Sequence, residues 1–204
     1  MAADAEHAAL RASSVTLTAH IGSSSDDPIG AKLTLAGSSG AKGTVTTHGF
    51  PFQVVRKGKA YYFRATDSFW RRQGGSRAVR LLGGRWIKGP EHKPGFRSFL
   101  RLTSMKSFFR VLEKKSFLAD VGNGGLKTYR GRRVIALYGS GADGGDSFYF
   151  SAVGKPYPVA FVGTTKGQPI TVRFTGWNRP VSIAPPKHPL DLSKLRSRAG
   201  STQA

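Results

Sequence analysis

The sequence contains no cysteine and few acidic residues. Without cysteine, the chain has no disulfide, thiolate nucleophile, cysteine-based zinc site or iron–sulfur cluster. Its 11 Asp and Glu residues stand against 32 Lys and Arg residues, which gives a formal net charge of +21. A charge of this sign attracts anionic lipid headgroups, acidic glycans or nucleic acid, or simply keeps the protein soluble.

Long apolar runs are also absent. No segment of the sequence approaches the ~20 apolar residues that a membrane-spanning helix needs. The N-terminal segment is rich in alanine but carries Asp4, Glu6, His7 and Arg11, so it lacks the hydrophobic region of a secretory signal peptide. We therefore expect a chain that is either cytoplasmic or has been cut downstream of an export signal.

The residues that usually carry catalysis or bind metals are scattered. The five histidines form no i, i+3 or i, i+4 pair, so a histidine metal site is not expected. Asp26 and Asp27, like Asp143 and Asp146, lie in turn-like segments where aspartate is common. The glycine-rich run 141–145 precedes a predicted strand, whereas a phosphate-binding loop must precede a helix. The sequence therefore predicts a protein that is not an enzyme and needs no metal or cofactor.

Alternation of apolar and polar residues predicts strands in both halves of the chain. The 26 glycines and 11 prolines supply many short turns, so neighbouring strands should pair antiparallel. A short helix is expected over residues 5–12. Strands are predicted over Val15–Ile21, around Leu33–Leu35, where Val45 and Thr47 lead to Phe50, Phe52 and Val54, and over Ala60–Arg64. In the second half they are predicted over Thr128–Tyr138, with a break at Gly131, and over Phe148–Val153, Val159–Val162, Ile170–Phe174 and Val181–Ile183.

Helical patterns replace strands between residues 67 and 115. Asp67 or Ser68 is expected to cap a first helix, which Gly74–Gly75 should interrupt. A longer amphipathic helix is expected from near Phe96 to Lys114. The order of strands, helices and strands predicts an α+β fold in which a curved antiparallel sheet, a half-barrel, carries helices on its concave face. The apolar space between the two layers is either a filled core or a ligand cavity.

The same patterns predict how the chain is organised. Residues 1–12 form a helical lead-in, and residues 13–186 form a single domain with the helical insertion at about 67–115. Residues 187–204 are polar and basic, which predicts a flexible tail.

Arginines and aromatic residues are interleaved between Asp67 and Glu91, where no other acidic residue occurs. This composition is typical of surfaces that bind nucleic acid and equally of surfaces that lie against an anionic membrane. It also fits a solvated helix face with tryptophans in the core. No zinc-finger, KH or RNA-recognition signature accompanies it, so nucleic acid is not the expected partner. The candidates for contact with an anionic headgroup or polyanion are Arg71, Arg72, Arg77, Arg80, Arg85 and Lys88.

The apolar residues of the same insertion are either ordinary core or the lining of a cavity. Long aromatics together with a methionine suit a cavity for flexible chains, because methionine adapts its shape to irregular partners. The candidate lining residues are Trp70, Leu81, Leu82, Trp86, Phe99, Leu102, Met105, Phe108, Phe109 and Leu112.

Several motifs resemble those of one family of lipoproteins. Over residues 10–186 the sequence is similar to the LppX/LprG class of cell-envelope lipoproteins and, more distantly, to the lipoprotein carrier LolA. The motifs that carry the resemblance are Tyr61-Tyr62-Phe63-Arg64, Ser68-Phe69-Trp70, Gly84-Arg85-Trp86-Ile87, Tyr129-Arg130-Gly131-Arg132-Arg133-Val134, Lys155-Pro156-Tyr157-Pro158 and Phe174-x-x-Trp177-Asn178-x-Pro180-Val181.

The resemblance implies a non-enzymatic half-barrel that binds or transfers acylated lipids, glycolipids or lipoprotein acyl chains. It also implies a location outside the cytoplasmic membrane, in the cell envelope. We expect a monomer, and the charge of +21 predicts an anionic membrane surface as a second partner. The family's export signal and lipobox cysteine do not occur in this sequence. Two alternatives remain open. One is a scaffold or regulatory domain of the same fold, with a filled core and a basic surface for an anionic partner. The other is a nucleic-acid-binding protein that uses the segment Arg71–Lys88.

Overall fold

The computed structural model describes residues 2–23, 28–37, 39–89, 103–105, 121–139, 145–165 and 167–191. In these ranges the chain forms two helices and one sheet of twelve strands. The helices are α1 (Ala2–Leu10) and α2 (Asp67–Leu82). The strands are β1 (Val15–Ile21), β2 (Ile29–Ala36), β3 (Gly40–Thr47), β4 (Phe50–Lys57), β5 (Ala60–Ala65), β6 (Ile87–Lys88), β7 (Val121–Tyr129), β8 (Arg132–Gly139), β9 (Asp146–Ser151), β10 (Pro158–Thr165), β11 (Gln168–Thr175) and β12 (Leu190–Asp191).

The sheet consists of two ladders of chain-consecutive strands joined at β1. Strands β1 to β6 lie side by side in sequence order, and so do β7 to β11, while β1 pairs with β11. The described strand pairs are antiparallel, apart from β12, which runs parallel to β6. This open, curved sheet with helices on one face confirms the predicted α+β half-barrel.

The inner face of the sheet is apolar. Leu17 of β1 lies between Leu33 of β2 and Phe174 of β11, and all three side chains are almost fully buried. Helix α1 packs beside β10, and its Ala5 and Ala9 belong to the same buried cluster. Burying each large apolar side chain contributes roughly 1.5–3 kcal/mol, so this row is a main source of the fold's stability.

The outer face is polar over most of its width. Thr18 of β1 lies between Lys32 of β2 and Arg173 of β11, one residue out of phase with the buried row. At the β7 edge, the rings of Tyr129 and Tyr149 stack with centroids 4.5 Å apart. The basic side chains of this row therefore lie opposite the core, as a strict period of two requires.

Helix α2 begins and bends where the sequence suggests, with one shift at its start. The side chain of Thr66 accepts a hydrogen bond from the backbone N–H of Phe69, so the N-cap precedes the predicted Asp67 or Ser68. Gly74 and Gly75 are non-helical, as expected. Gly75 has φ 62° and ψ −159°, a conformation that is essentially restricted to glycine. No residue of α2 is fully buried, so the helix lies on the sheet rather than within the core.

The break predicted at Gly131 is a hairpin turn. Arg130 and Gly131 adopt positive φ and join the two parts of the segment Thr128–Tyr138, which belong to β7 and β8. One strand prediction is wrong. Val181–Ile183 forms no strand in the described part of the chain. There, the backbone carbonyl of Ser182 accepts a hydrogen bond from Lys42 Nζ at 3.0 Å. Gly124–Gly125 lies inside β7, at an irregularity in its pairing with β8.

The long helix predicted from Phe96 to Lys114 lies outside the described residues, apart from Thr103–Met105. The segment predicted as a basic tail begins with residues that the fold holds in place. Leu190 donates a backbone hydrogen bond to Trp86 at 2.8 Å, and β12 pairs with β6. None of the helices in the described ranges is both long and apolar enough to cross a bilayer.

Candidate functional site

A cleft of about 540 Å³ opens between the β3–β4 turn and the first half of α2. Its volume falls within the range of roughly 300–1,000 Å³ that is typical of small-molecule sites. The cleft is lined by Thr47, His48, Gly49, Phe50, Phe52, Phe69, Arg72 and Gln73.

The floor of the cleft is aromatic. Phe50 and Phe52 are two residues apart in β4, so both side chains lie on the inner face. Phe69, in the first turn of α2, meets both edge-on, with ring centroids 5.6 Å from Phe50 and 4.8 Å from Phe52. Trp70 extends the cluster, at 4.9 Å from Phe69 and 6.4 Å from Phe63 of β5. Each edge-on ring pair contributes roughly 0.5–1.5 kcal/mol of stabilisation, which holds the rings of the floor in a fixed arrangement.

The rim of the cleft is basic. Arg72 follows Phe69 by three residues on α2, and its guanidinium carbon lies 5.8 Å from the centre of the Phe50 ring. The side chain is exposed, as is that of His48 in the turn opposite. A guanidinium over an aromatic face keeps its hydrogen-bond donors free for an anion. The cleft thus pairs an apolar floor with a cationic edge.

The other end of the inner face is closed. Arg56 lies six residues along β4 from Phe50, about 20 Å away at roughly 3.4 Å per residue. It is only 8% exposed and donates hydrogen bonds from Nε and Nη2 to the backbone carbonyl of Thr103, at 3.2 and 3.0 Å. Its Nη1 donates to the carbonyl of Gly58 at 3.0 Å. Met105 is buried in the core cluster, so Thr103–Met105 covers the sheet at this end.

Half of the apolar residues predicted to line a cavity lie outside the described residues. Of the others, Trp70 contacts the aromatic floor, and its indole nitrogen is buried without a hydrogen bond to any described residue. Met105 is buried in the core, Leu82 is half-buried, and Leu81 is 55% exposed and faces solvent. The residues outside the described ranges are Phe99, Leu102, Phe108, Phe109 and Leu112.

Trp86 lies on the outer face, which does not fit its predicted role as a lining residue. Ile87 pairs with Phe63 and is fully buried on the inner face, so strand alternation directs Trp86 and Lys88 to the opposite side. There the guanidinium carbon of Arg64 lies 5.2 Å from the centre of the Trp86 ring. The sheet therefore separates Trp86 from Trp70.

The six basic residues predicted to contact an anion do not lie together in the structure. Arg72 alone among them lines the cleft, while the side chains of Arg71, Arg77, Arg80 and Arg85 are exposed elsewhere on or just after α2. Lys88 forms an ion pair with Asp191 at 3.3 Å on the outer face.

Sequence reasoning missed the residues that form the floor and the turn, namely Phe50, Phe52, Phe69 and His48 as parts of a site. The alternation of Phe50 and Phe52 was visible as a strand with one apolar face. Nothing in that pattern indicates that α2 leaves this end of the face open.

The motifs behind the family resemblance have structural roles. Tyr157 and Trp177 stack with ring centroids 4.7 Å apart, and the Trp177 indole donates to the carbonyl of Pro158 at 3.0 Å. Asn178 donates from Nδ2 to the Tyr157 hydroxyl at 2.7 Å and accepts a hydrogen bond from the backbone N–H of Ser13 at 2.8 Å. These contacts tie the strand ends to the start of β1. Within the described ranges, no three His, Asp or Glu side chains come close enough together to hold a metal ion.

No family model and no curated protein matches the sequence. Solved structures do match. The lipoprotein LppX of Mycobacterium tuberculosis superposes with a TM-score of 0.58 at 17% identity, covering 90% of this chain and 96% of that one. LprF of Mycobacterium bovis gives a TM-score of 0.57 at 14% identity, covering 90% of this chain and 94% of that one.

This chain has the LppX fold. The likeness spans nearly the whole of both chains, so the resemblance read from the motifs is confirmed for the fold. At these identities the comparison concerns the LppX-like architecture, and the function must be argued from the cleft itself.

Proposed function

We propose that the protein binds the acyl chains of a lipid, glycolipid or lipoprotein in the cleft between α2 and the inner face of the sheet, without catalysing a reaction. The observation that carries this proposal is the combination of an aromatic floor with an arginine at the rim, at the end of the inner face opposite to the one that Thr103–Met105 covers. We place this activity outside the cytoplasmic membrane, in the bacterial cell envelope.

The chemistry of the cleft favours an amphiphile. Phe50, Phe52 and Phe69 offer apolar surface and no hydrogen-bonding groups, so a polar ligand would lose its hydration there without compensation. An acyl chain gains roughly 0.8 kcal/mol for each CH₂ group that it buries. Arg72, directly above Phe50, is placed to meet an anionic headgroup while the chain lies below it.

The fold supports the same proposal. LppX, which shares the architecture over 90% of this chain, is a lipoprotein. The resemblance of the sequence to the LppX/LprG class implies that acyl chains bind on the concave face and that the protein is located in the cell envelope.

A second candidate is a scaffold of the same fold with a filled interior. Met105 favours it, because this side chain is buried in the core cluster and covers part of the inner face. In that case the cleft would be a shallow surface feature, and the protein would bind its partner through basic side chains.

Native mass spectrometry of the purified protein, followed by lipid extraction, distinguishes the two candidates. We expect a bound species in the wild type that is lost in the Phe69→Asp and Phe50→Asp variants, both of which place a charge on the floor. Val153→Asp is the matched control, since Val153 is 67% exposed in a turn outside the cleft, and it should keep the ligand. Circular dichroism and urea unfolding establish that each variant is folded.

A wild-type protein that carries no lipid, and takes up none from phosphatidylglycerol vesicles, would overturn acyl-chain binding and support the filled scaffold. The same conclusion follows if folded Phe69→Asp and Phe50→Asp proteins retain the ligand as well as the control does.

A further inference from the structure

We propose that the second half of α2 docks the protein on an anionic lipid bilayer. The docking surface, here called the basic stripe, consists of Arg77, Arg80, Leu81 and Arg85. The inference goes beyond the proposed function, because docking through these residues does not require that the cleft holds a lipid.

The spacing of the basic stripe places its members on one side of the helix. Residues 77, 80 and 81 are related by i, i+3 and i, i+4 steps, so they lie next to one another. All of them are exposed, and Leu81 retains 55% of its accessible surface. Arg85, just past the end of the helix, donates a hydrogen bond to the backbone carbonyl of Leu81 at 3.4 Å, which keeps it beside the others. Ala78, Val79 and Leu82 are half-buried.

The positive charge of this surface is not neutralised within the described part of the chain. Five arginines and one aspartate occur between residues 67 and 86. That aspartate, Asp67, lies next to Gly83, and none of the arginines of the stripe forms an ion pair with it or with another described carboxylate. A surface with several guanidinium groups that form no ion pair with a described carboxylate is complementary to a layer of phosphate headgroups.

Leu81 decides in favour of a bilayer over a nucleic acid. An exposed leucine surrounded by arginines fits the membrane interface, where the apolar side chain enters the headgroup region and the cations stay at phosphate depth. A nucleic-acid backbone offers such a leucine no apolar partner, and the stripe contains no aromatic ring on which a base could stack.

Docking would also place the cleft near its source of lipid. Arg72 at the rim and Arg77 in the stripe are five residues apart on α2, which limits their separation to about 18 Å even for an extended chain. A protein held on a bilayer by the stripe therefore keeps the cationic edge of the cleft close to the headgroups.

The test is co-sedimentation with vesicles of phosphatidylcholine alone and of phosphatidylcholine with 30% phosphatidylglycerol. The triple variant Arg77→Glu, Arg80→Glu, Arg85→Glu reverses the stripe. The matched control is Lys32→Glu, Lys57→Glu, Lys127→Glu, which makes the same charge change at exposed lysines of β2, β4 and β7. We expect the stripe variant to bind the anionic vesicles at least ~100-fold more weakly than wild type, since each basic residue near such a surface is worth about fivefold.

The control variant should lose much less affinity, and Leu81→Ser should weaken binding by a further, salt-insensitive factor of about 3–10. An equal loss in both triple variants would overturn the inference, because net charge rather than the stripe would then govern binding. A wild-type protein that does not bind the anionic vesicles would overturn the inference directly. So would a stripe variant that still binds vesicles but loses affinity for single-stranded DNA.

Native mass spectrometry of the same proteins separates this inference from the proposed function. The stripe variant should retain its lipid although it no longer docks, and Phe69→Asp should dock although it carries no lipid.

Discussion

Arg56 donates two hydrogen bonds to a single acceptor, the backbone carbonyl of Thr103, from Nε at 3.2 Å and Nη2 at 3.0 Å. The segment that contains Met105 is thereby fastened to the inner face of the sheet. Among the described residues no carboxylate pairs with Arg56, so backbone carbonyl oxygens alone offset the removal of its charge from water. Burial accordingly lowers the pKa of Arg56.

Replacing Arg56 with methionine should destabilise the protein by about 1–3 kcal/mol. The change preserves an apolar stem but leaves the Thr103 carbonyl buried without its donor, and an unsatisfied buried group carries a cost of this size. Urea unfolding measures the loss. Arg64→Met is the control, because Arg64 is only half-buried on the outer face and should cost less than about 1 kcal/mol. Equal losses of unfolding free energy in the two variants would show that the hydrogen bonds to the Thr103 carbonyl contribute no additional stability.

The difference between wild type and Arg56→Met should not depend on pH between 5 and 9. A base whose pKa is lowered by folding is destabilised in its charged form at every pH below the folded-state pKa. Because a guanidinium remains charged throughout this range in both the folded and the unfolded state, the cost of burying it is constant. If the difference in unfolding free energy between the two proteins changed with pH, a neighbouring group that titrates in this range would be responsible.

Arg72→Ala should reduce the affinity for an anionic lipid by roughly tenfold, the loss of one charge-assisted contact, and leave the affinity for a zwitterionic lipid nearly unchanged. Arg71→Ala is the matched control, since this neighbouring arginine is exposed and does not line the cleft. Competition between fluorescent phosphatidylglycerol and phosphatidylcholine gives both affinities. An Arg71 effect as large as that of Arg72 would argue for a general attraction by α2 instead of a headgroup contact at the rim.

Trp70 should report the arrival of an acyl chain, and Trp86 should not. The Trp70 ring touches Phe69 on the floor of the cleft, whereas Trp86 lies against Arg64 on the outer face. Lipid uptake should therefore shift the tryptophan emission of wild type and of Trp86→Phe, but not that of Trp70→Phe. The reverse pattern would mean that the ligand binds on the outer face of the sheet.

Elements whose structure depends on their own residues could be predicted from the sequence, whereas elements whose structure depends on pairing with distant residues could not. Strands β1 and β11 were predictable because each alternates strictly, and a half-buried strand needs little more than that pattern. The break between β7 and β8 was predicted at Gly131, but not the start of the turn at Arg130, whose positive φ is unusual for an arginine. Pairing of the strands on either side imposes that conformation on Arg130, and Gly131 is the local signal in the sequence.

The cleft was less predictable, because pairing across the sheet decides which side chains meet there. The side of the sheet on which Trp86 lies is set by the pairing of Ile87 with Phe63, and composition alone made Trp86 and Trp70 equivalent. Phe50 and Phe52 were recognised as strand residues, but their exposure at the mouth depends on where α2 begins at Thr66. Of the residues that line the cleft, only Arg72 was among the predicted site residues.

The two-ladder arrangement of the sheet has a consequence for how the protein folds. Within each ladder, short connections join all neighbouring strands except β5 and β6, which are separated by α2, so most contacts form at little cost in chain entropy. Among the described strands, the two ladders pair with each other only where β1 meets β11, in contacts such as Leu17 with Phe174 that span most of the chain. Strand β12 follows the second ladder in the chain and pairs with β6 of the first. Because such long-range pairing is slow, we expect two smaller sheets to form first, with their β1–β11 amides the last to gain protection in pulsed hydrogen exchange.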